Sequence, residues 1–391
     1  MKYLFVVPYF VPAFAYGGPV KVVFTQATKL AERGHSVAVY TTDVLDKNSR
    51  YKGPRETSIK GVQVKYFPVV SNTLAYHINY FRAFGFYKYL KKTINDFDFV
   101  FIHDFFTYQS RKTASLCKTY AIPYSITPHG VLSPVHLQFK KIVKKLYLLT
   151  NKHILNNASH AIALTQYEQK ILAHYLPQEK IKIIPNGIDL NDYINLSSLR
   201  GNLRNRLNLT NKKIVVFIGR LQTIKGLDIL AHAFRLVLEK INDANLLIVG
   251  PDEGYLTPLQ SILTTLGISS SVIFTGLLKE EQLFEVLADA DVFALTSYSE
   301  GLPISVLEAA ASGLPCIISK ECNVPEISTF RAGFVVSNEP EIIADRIIRI
   351  LENDKLRSTM GIRAQEMVRD QFSWKTVIDK IETITMKCTG D

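Results

Sequence analysis

Several things are scarce in this sequence. Only four cysteines occur in 391 residues, too few and too scattered for a disulfide-stapled scaffold. Cys117, Cys316, Cys322 and Cys388 form no CxxC pair and no Cys/His cluster at zinc-ligand spacing, so a reducing cytoplasm and a metal-free protein are expected. No run of 18 apolar residues is present, and no segment reads as a membrane-spanning helix. Low-complexity tracts are absent, and 47% hydrophobic with 21% charged residues is the balance of a globular chain. Acidic residues are scarce in the first half alone. Residues 1–190 carry 25 Lys/Arg against 10 Asp/Glu, a net of +15, whereas residues 191–391 carry 21 against 25, a net of −4. Two domains meeting different partners are implied, the basic one facing an anion: nucleic acid, a membrane surface or a phosphorylated substrate.

The opening Met1-Lys2 and the apolar stretch after it imitate a leader peptide, with Ala13-Phe14-Ala15 as a cleavage-like site. One lone charge, Pro8 and Pro12 inside the stretch, and the segments after it argue against a leader. Lys2–Val7 reads as a strand, Gly17-Gly18 as a glycine loop, the next stretch as a helix, and Val37–Tyr40 as a second strand. The same series recurs about 210 residues later, in Lys213–Ile218, Gly219–Gly226, Leu227–Leu238 and Leu246–Val249. Strand, glycine loop, helix, strand is the opening of a doubly wound parallel sheet, so the fold class is α/β with two Rossmann-like domains. Further strands are expected at Val62–Phe67, Phe99–His103, Tyr124–Thr127, Ala161–Leu164, Val272–Thr275, Val292–Leu295 and Cys316–Ser319. The break is expected near Ile184–Asp189, a turn-rich exit from a strand, and a last helix over Trp374–Met386.

Two constellations carry chemistry. After the strand ending at Leu295, Glu300 sits on a strand-to-helix loop and Glu308 on the first turns of the next helix, Pro303 opening it and Gly313 closing it. The free N–H groups of a helix start attract an anion, and Gly301 lets the backbone come close. The second is Gly219–Gly226, where Arg220 and Lys225 stand five residues apart at the carboxyl edge of a parallel sheet and suit a diphosphate. It lacks the glycine spacing and Lys-Ser/Thr pair of a Walker loop.

Together these residues resemble glycosyltransferase family 4, the retaining GT-B enzymes. Glu300 and Glu308 match its E-x7-E motif, Arg220 and Lys225 its R-x4-K, Gly17-Gly18 its N-terminal glycine loop, and Ile184–Asp189 its P-N-G-[IV]-D turn. Pro128-His129-Gly130 corresponds to the loop that brings a histidine to the donor sugar. Thr127–Gly130 with Gly17-Gly18-Pro19 is similar to bacterial transferases that build surface polysaccharides, including exopolysaccharide and lipopolysaccharide. The resemblance implies two Rossmann-like domains facing a cleft that closes: an acceptor-side domain over 1–190, a nucleotide-sugar domain over 191–372, and a helix over 373–391 returning to the first. It implies a hexosyl group transferred with retention from a UDP-, GDP- or ADP-sugar to a glycan or polyprenyl- or lipid-linked acceptor, without a metal cofactor. Arg220 and Lys225 would take the diphosphate, helped by the backbone from Gly301 through Leu302, Pro303, Ile304 and Ser305 to Val306. Glu300 would hold sugar hydroxyls and Glu308 the ribose. His129 would lie beside the sugar, Gly17 and Gly18 would contact the phosphate and line the acceptor side, and Gly276 and Leu277 would border the base.

Another GT-B enzyme such as a nucleotide-sugar epimerase is the nearest alternative. A nucleic-acid-binding Rossmann-type protein is the remote one, since no aromatic–basic RNA signature is evident. Asp289-Ala290-Asp291 imitates a metal-binding DxD but ends a helix and starts a strand, and His103-Asp104, at the ligand-bearing edge of a strand, suits a local hydrogen bond ahead of a role towards the acceptor. Thr165 with Glu168 reads as a capping box. The aromatics crowded into Tyr76–Tyr89 suit core, acceptor pocket or membrane contact. Lys140, Lys141, Lys144 and Lys145 gather on one side of a helix, with Leu137, Phe139, Ile142, Val143, Leu146 and Tyr147 around the rest. With the charge split, they point to an anionic membrane surface, on the inner face of the plasma membrane.

Overall fold

The computed structural model describes residues 1–138 and 141–389. Phe139 and Lys140 of the lysine-rich segment lie outside them. The chain divides into two compact units: Met1–Asn186 together with the segment from Trp374 onward, and Gly187–Ser373.

The first unit holds β1 (Lys2–Val6), β2 (Ser36–Thr42), β3 (Glu56–Ile59), β4 (Val62–Phe67), β5 (Phe99–His103), β6 (Tyr124–Thr127), β7 (His160–Ala163) and β8 (Ile181–Ile183). They form one sheet in the order β3-β4-β2-β1-β5-β6-β7-β8, parallel throughout except for β3, which runs antiparallel to β4. The second unit holds β9 (Lys213–Ile218), β10 (Ala244–Val249), β11 (Val272–Gly276), β12 (Val292–Leu295), β13 (Cys316–Ser319) and β14 (Gly333–Val336), in the order β11-β10-β9-β12-β13-β14. Consecutive residues of β1, β5 and β9 are buried, which a strand shows only when helices cover both faces of its sheet. That burial explains why these strands read as unbroken apolar runs. The leader-like stretch therefore opens with a central strand of the first sheet, Lys2–Val6, and runs on into the 3-10 turn Phe14–Tyr16.

Numbered within each unit, the second sheet runs 3-2-1-4-5-6, and the first has the same order apart from its extra edge strands. The strand order reverses between β1 and β5 and between β9 and β12. Ligands of open α/β sheets bind beyond the carboxyl ends of the strands at such a reversal.

Two strands escape sequence reading. Thr57 and Ile59 of β3 are only half-buried, so the strand has no apolar run to announce it. β14 is four residues and starts with Gly333, where a Cβ would stand 1.9 Å from the Cys316 carbonyl oxygen. The break falls at Asn186/Gly187, within the expected Ile184–Asp189 turn and short of the expected bound at residue 190. Ile188 belongs to the second unit, because its N–H donates to the Phe372 carbonyl at 2.7 Å and it pairs with Ser373.

The helix Trp374–Thr389 packs on the first unit, burying Trp374, Val377, Ile378, Ile381 and Ile384. Its polar edge is bonded as well. Thr385 Oγ1 lies 2.9 Å from the Tyr3 hydroxyl, and Glu382 takes Arg33 at 2.5 Å and His35 Nε2 at 2.9 Å. Ile381→Ala should cost about 2–5 kcal/mol of this unit's stability, whereas Ile362→Ala, at a position 57% exposed in the second unit, should stay within about 0.5 kcal/mol. Trp374 is the chain's single tryptophan, so its fluorescence during denaturant titration reads the first change directly.

Candidate active site

In the second unit, the loops after β9 and β12 converge at the strand-order reversal. The first is Gly219–Gly226, with a short 3-10 turn over Thr223–Lys225 and Gly226 at φ +62°. A Cβ on Gly226 would stand 2.0 Å from the Thr296 carbonyl oxygen. Glycine thus lets the two loops touch, and they are stitched there. Thr296 Oγ1 donates to the Gly226 carbonyl at 2.7 Å, and the Tyr298 N–H to the Ile224 carbonyl at 2.8 Å. A second close approach joins the β9 and β10 loops, where a Cβ on Gly250 would meet the Gly219 carbonyl oxygen at 1.9 Å.

The stitching brings Lys225 and Glu300 together. Lys225 Nζ lies 2.6 Å from Glu300 Oε1, and both side chains are mostly buried. The same carboxylate oxygen accepts from Ser297 Oγ at 2.7 Å. The Glu300 backbone is held too, its N–H donating to the Glu321 carbonyl at 3.0 Å and its carbonyl accepting from Asn323 Nδ2 at 2.8 Å. Arg220, half exposed, forks onto Glu253 at 3.1 and 3.2 Å, and Gln222 donates to Glu253 as well. Both cations of the R-x4-K pattern therefore carry a carboxylate partner that a diphosphate would have to displace or share.

Beside them starts the helix Ile304–Ala311, with Pro303 at its N-cap and no side-chain cap. Open space lies where a Cβ of Gly301 would point. Leu302, Pro303 and Val306 are buried, while Ile304, Ser305 and Glu308 are half-buried. A glycine with nothing beside it, leading into an uncapped helix start, leaves backbone N–H groups able to receive an anion. Gly276, at φ +68°, ends β11, and the Leu277 after it is 77% exposed.

In the first unit, Gly17 at φ +83° caps the helix Gly18–Glu32. Tyr9, Tyr16 and Phe81 form a ring cluster next to it, and Tyr16 also meets Tyr76. The aromatic crowd splits accordingly: Phe81 and Phe86 are core, whereas Tyr76, Tyr80, Phe84 and Tyr87 are exposed. His129 and Gly130 come after β6 with consecutive positive φ values of +55° and +78°. His129 Nε2 lies 2.9 Å from His103 Nδ1. Burial lowers the pKa of both rings, that of His129 to about 4, so both are neutral at pH 7.

The Thr165–Glu168 pair is only half a capping box. Thr165 Oγ1 accepts from the Glu168 N–H at 3.2 Å. The Glu168 carboxylate, however, takes the N–H of Leu164 and that of Gly130, each at 2.8 Å, instead of the N-cap N–H. Buried, with its pKa raised by desolvation, it pins the histidine loop. The DxD-like pair is structural. Asp289 accepts from the N–H groups of Gly201 and Arg204 at 2.6 and 3.0 Å, and Asp291 from Arg204 and the Ile214 N–H at 2.9 and 2.8 Å.

Two family models match the chain. The glycosyltransferase family 4 model covers residues 16–192 and the model for glycosyl transferases group 1 covers 200–367. The chain belongs to glycosyltransferase family 4. Among curated relatives, the D-inositol 3-phosphate glycosyltransferase of Corynebacterium efficiens is 28% identical over 259 residues. That match covers 62% of this chain and spans 61% of the relative's own length. Among solved structures, HepE of Anabaena in complex with UDP and glucose aligns over 99% of this chain and all of its own, with a TM-score of 0.74 and 21% identity. WaaG, a glycosyltransferase involved in lipopolysaccharide biosynthesis, aligns over the whole of both chains with a TM-score of 0.68 and 20% identity. These likenesses give the fold, GT-B.

Sequence reading misses the roles of two acidic residues, one in each unit. Glu253, the partner of Arg220, comes after β10 in the turn Gly250–Gly254, and an acidic glycine turn after a buried strand was the available signal. Glu168 read as a cap, because nothing local tells that its carboxylate reaches 38 residues back to Gly130. Gly226→Ala should separate the two stitched loops and displace Lys225 from Glu300. A lower melting temperature is expected, together with about tenfold weaker binding of whichever of UDP, GDP and ADP the unaltered chain takes, measured by calorimetry on the same samples.

Proposed function

We propose that the protein is a retaining hexosyltransferase, moving a sugar from a nucleotide-diphosphate sugar to a glycan or lipid-linked acceptor in bacterial surface-polysaccharide synthesis. The observation that carries this reading is the Lys225–Glu300 pair at the β9/β12 reversal, beside an uncapped helix start and open space over Gly301. As the glycosidic bond breaks, negative charge grows on the leaving diphosphate. Arg220, Lys225 and the helix N–H groups stabilise it, doing the work a divalent cation does elsewhere. Glu300 passes from Lys225 to the sugar hydroxyls, and Glu308 holds the ribose. Retention results from attack on the face the leaving group departs from: the acceptor oxygen bonds to the anomeric carbon, the bond to the diphosphate oxygen breaks, and that oxygen takes the acceptor's proton. His129, Gly17 and Gly18 serve the sugar and acceptor side. HepE was captured with UDP and glucose and WaaG works in lipopolysaccharide biosynthesis, which supports a nucleotide-sugar donor and a surface-glycan product.

The acceptor is read as lipid-linked because of the helix Lys141–Asn151. Its inner side, Tyr147 and Leu148, packs on the core. Its outer side leaves Ile142 83%, Val143 66%, Leu146 61% and Leu149 58% exposed, so these apolar residues are not core. Lys141, Lys145 and Lys152 line a pocket with Leu137, Leu148 and Leu149, and Lys144 sits over the Phe106 ring at 5.3 Å. Apolar side chains among lysines suit the interface of an anionic leaflet, each lysine contributing about 1 kcal/mol. Docking is read as peripheral, on the cytoplasmic face, from these lysines and the charge split; no helix among the described residues is long and apolar enough to cross a membrane.

A thermal-shift screen against UDP-, GDP- and ADP-sugars should show one donor raising the melting temperature. Lys225→Ala and Arg220→Ala should each lower turnover by on the order of 10²–10³ with the fold intact, and full activity in both would refute the assignment. EDTA should leave the rate nearly unchanged, whereas a strict need for Mn²⁺ would count against the mechanism. Sedimentation with anionic liposomes should occur at low salt and vanish at high salt, and also when Lys141, Lys144 and Lys145 become Gln. A chain that stays in the supernatant at low salt would leave a soluble acceptor.

A further inference from the structure

The histidine beside the donor sugar is only as useful as the proton it presents, and its partner in the fold decides which nitrogen carries it. His103 closes β5, a central strand, and is buried. Its ring stacks on Phe5 at 5.8 Å between centroids and lies nearly parallel to His129 at 5.2 Å. One hydrogen bond joins the two rings, His103 Nδ1 to His129 Nε2 at 2.9 Å. Both rings are held neutral by desolvation, so one of these nitrogens donates and the other accepts.

The other nitrogen of His103 settles the direction. His103 Nε2 is buried and has no hydrogen-bond partner among the described residues. A buried N–H without an acceptor is rarer in proteins than a buried acceptor left unused. The stable arrangement leaves Nε2 bare and puts the His103 proton on Nδ1, from where it donates to His129 Nε2. His129, accepting at Nε2, then carries its own proton on Nδ1. The loop backbone is fixed independently, since the Gly130 N–H is bound by Glu168.

We propose that His103 is a positioning residue that locks His129 in its Nδ1–H tautomer, so that the loop offers a hydrogen-bond donor, not an acceptor, to an oxygen of the bound sugar. This rests on the proposed function for the role of His129, but the tautomer is a property of the ligand-free chain. In that state the oxygen-binding group is aimed before the sugar arrives, and no ring needs to rotate or exchange its proton during turnover.

Two measurements test it. ¹⁵N-histidine NMR of the intact chain at pH 7, assigned with His103→Asn and His129→Asn, should show protonated Nδ1 and bare Nε2 on both rings. A protonated Nε2 on His129 overturns the proposal. The kinetic arm uses hydrolysis of UDP-, GDP- and ADP-glucose without acceptor. With the best of the three, His103→Asn, whose amide can still donate towards His129, should keep kcat within about threefold. His103→Leu should lower kcat about tenfold or more with KM changed less than twofold, and thermal melts of both variants set aside loss of fold. Equal loss in the two variants would make His103 a packing residue and overturn the proposal. If the intact chain binds none of UDP, GDP and ADP themselves, the functional reading fails, while the NMR result still decides the tautomer.

Discussion

The backbone contact between Gly226 and Thr296 is the constraint on which the second unit's chemistry depends. Two strands adjacent at the reversal, β9 and β12, send their loops out side by side, and only a residue without a Cβ lets them meet. Once they meet, Thr296 and Tyr298 bond to the opposite loop, and Lys225 and Glu300 have little freedom except to face each other. Their ion pair is thus a product of the fold rather than a support for it. Mostly buried charges gain little net stability from pairing because desolvation offsets the attraction. What the arrangement secures is a cation and a carboxylate held at a defined separation.

The same sheet order yields two different surroundings at the two reversals. In the second unit the loops carry full charges in opposed pairs, Lys225 with Glu300 and Arg220 with Glu253. In the first unit they carry neutral rings, buried carboxylates bonded to backbone N–H groups, and a cluster of tyrosines. Fixed charge suits the part of a donor that becomes anionic, and neutral donors and acceptors suit hydroxyl groups.

Much of this was legible in the residues because buried parallel strands announce themselves as apolar runs and their loops as glycines. β1, β5, β9 and β12 were readable for that reason, and so were the loops holding Gly17, Arg220, Lys225 and Glu300. Edge strands were not, since β3 has a polar face on solvent and β14 begins with a glycine chosen for close packing against Cys316. Long-range partnerships were out of reach as well. Glu168 looked like a helix cap because its sequence neighbours satisfy that pattern, yet its carboxylate is committed to Gly130. The exposed Ile142, Val143 and Leu146 carry the same lesson in reverse, since helical spacing of apolar residues does not say whether the face they make meets a core.

The order in which the chain emerges during synthesis gives one further consequence. The first unit is built from residues before Gly187 and after Ser373, and Tyr3 is joined to Thr385. The whole of the second unit lies between. At about 5–20 residues per second, the ribosome needs on the order of 10–40 s to make that intervening stretch. Through this time the first sheet exists without the helix that covers Tyr3 and His35, and the second unit can finish folding before the first is able to. A nascent chain of this protein is therefore most exposed to aggregation and to chaperones at its beginning, not at its end.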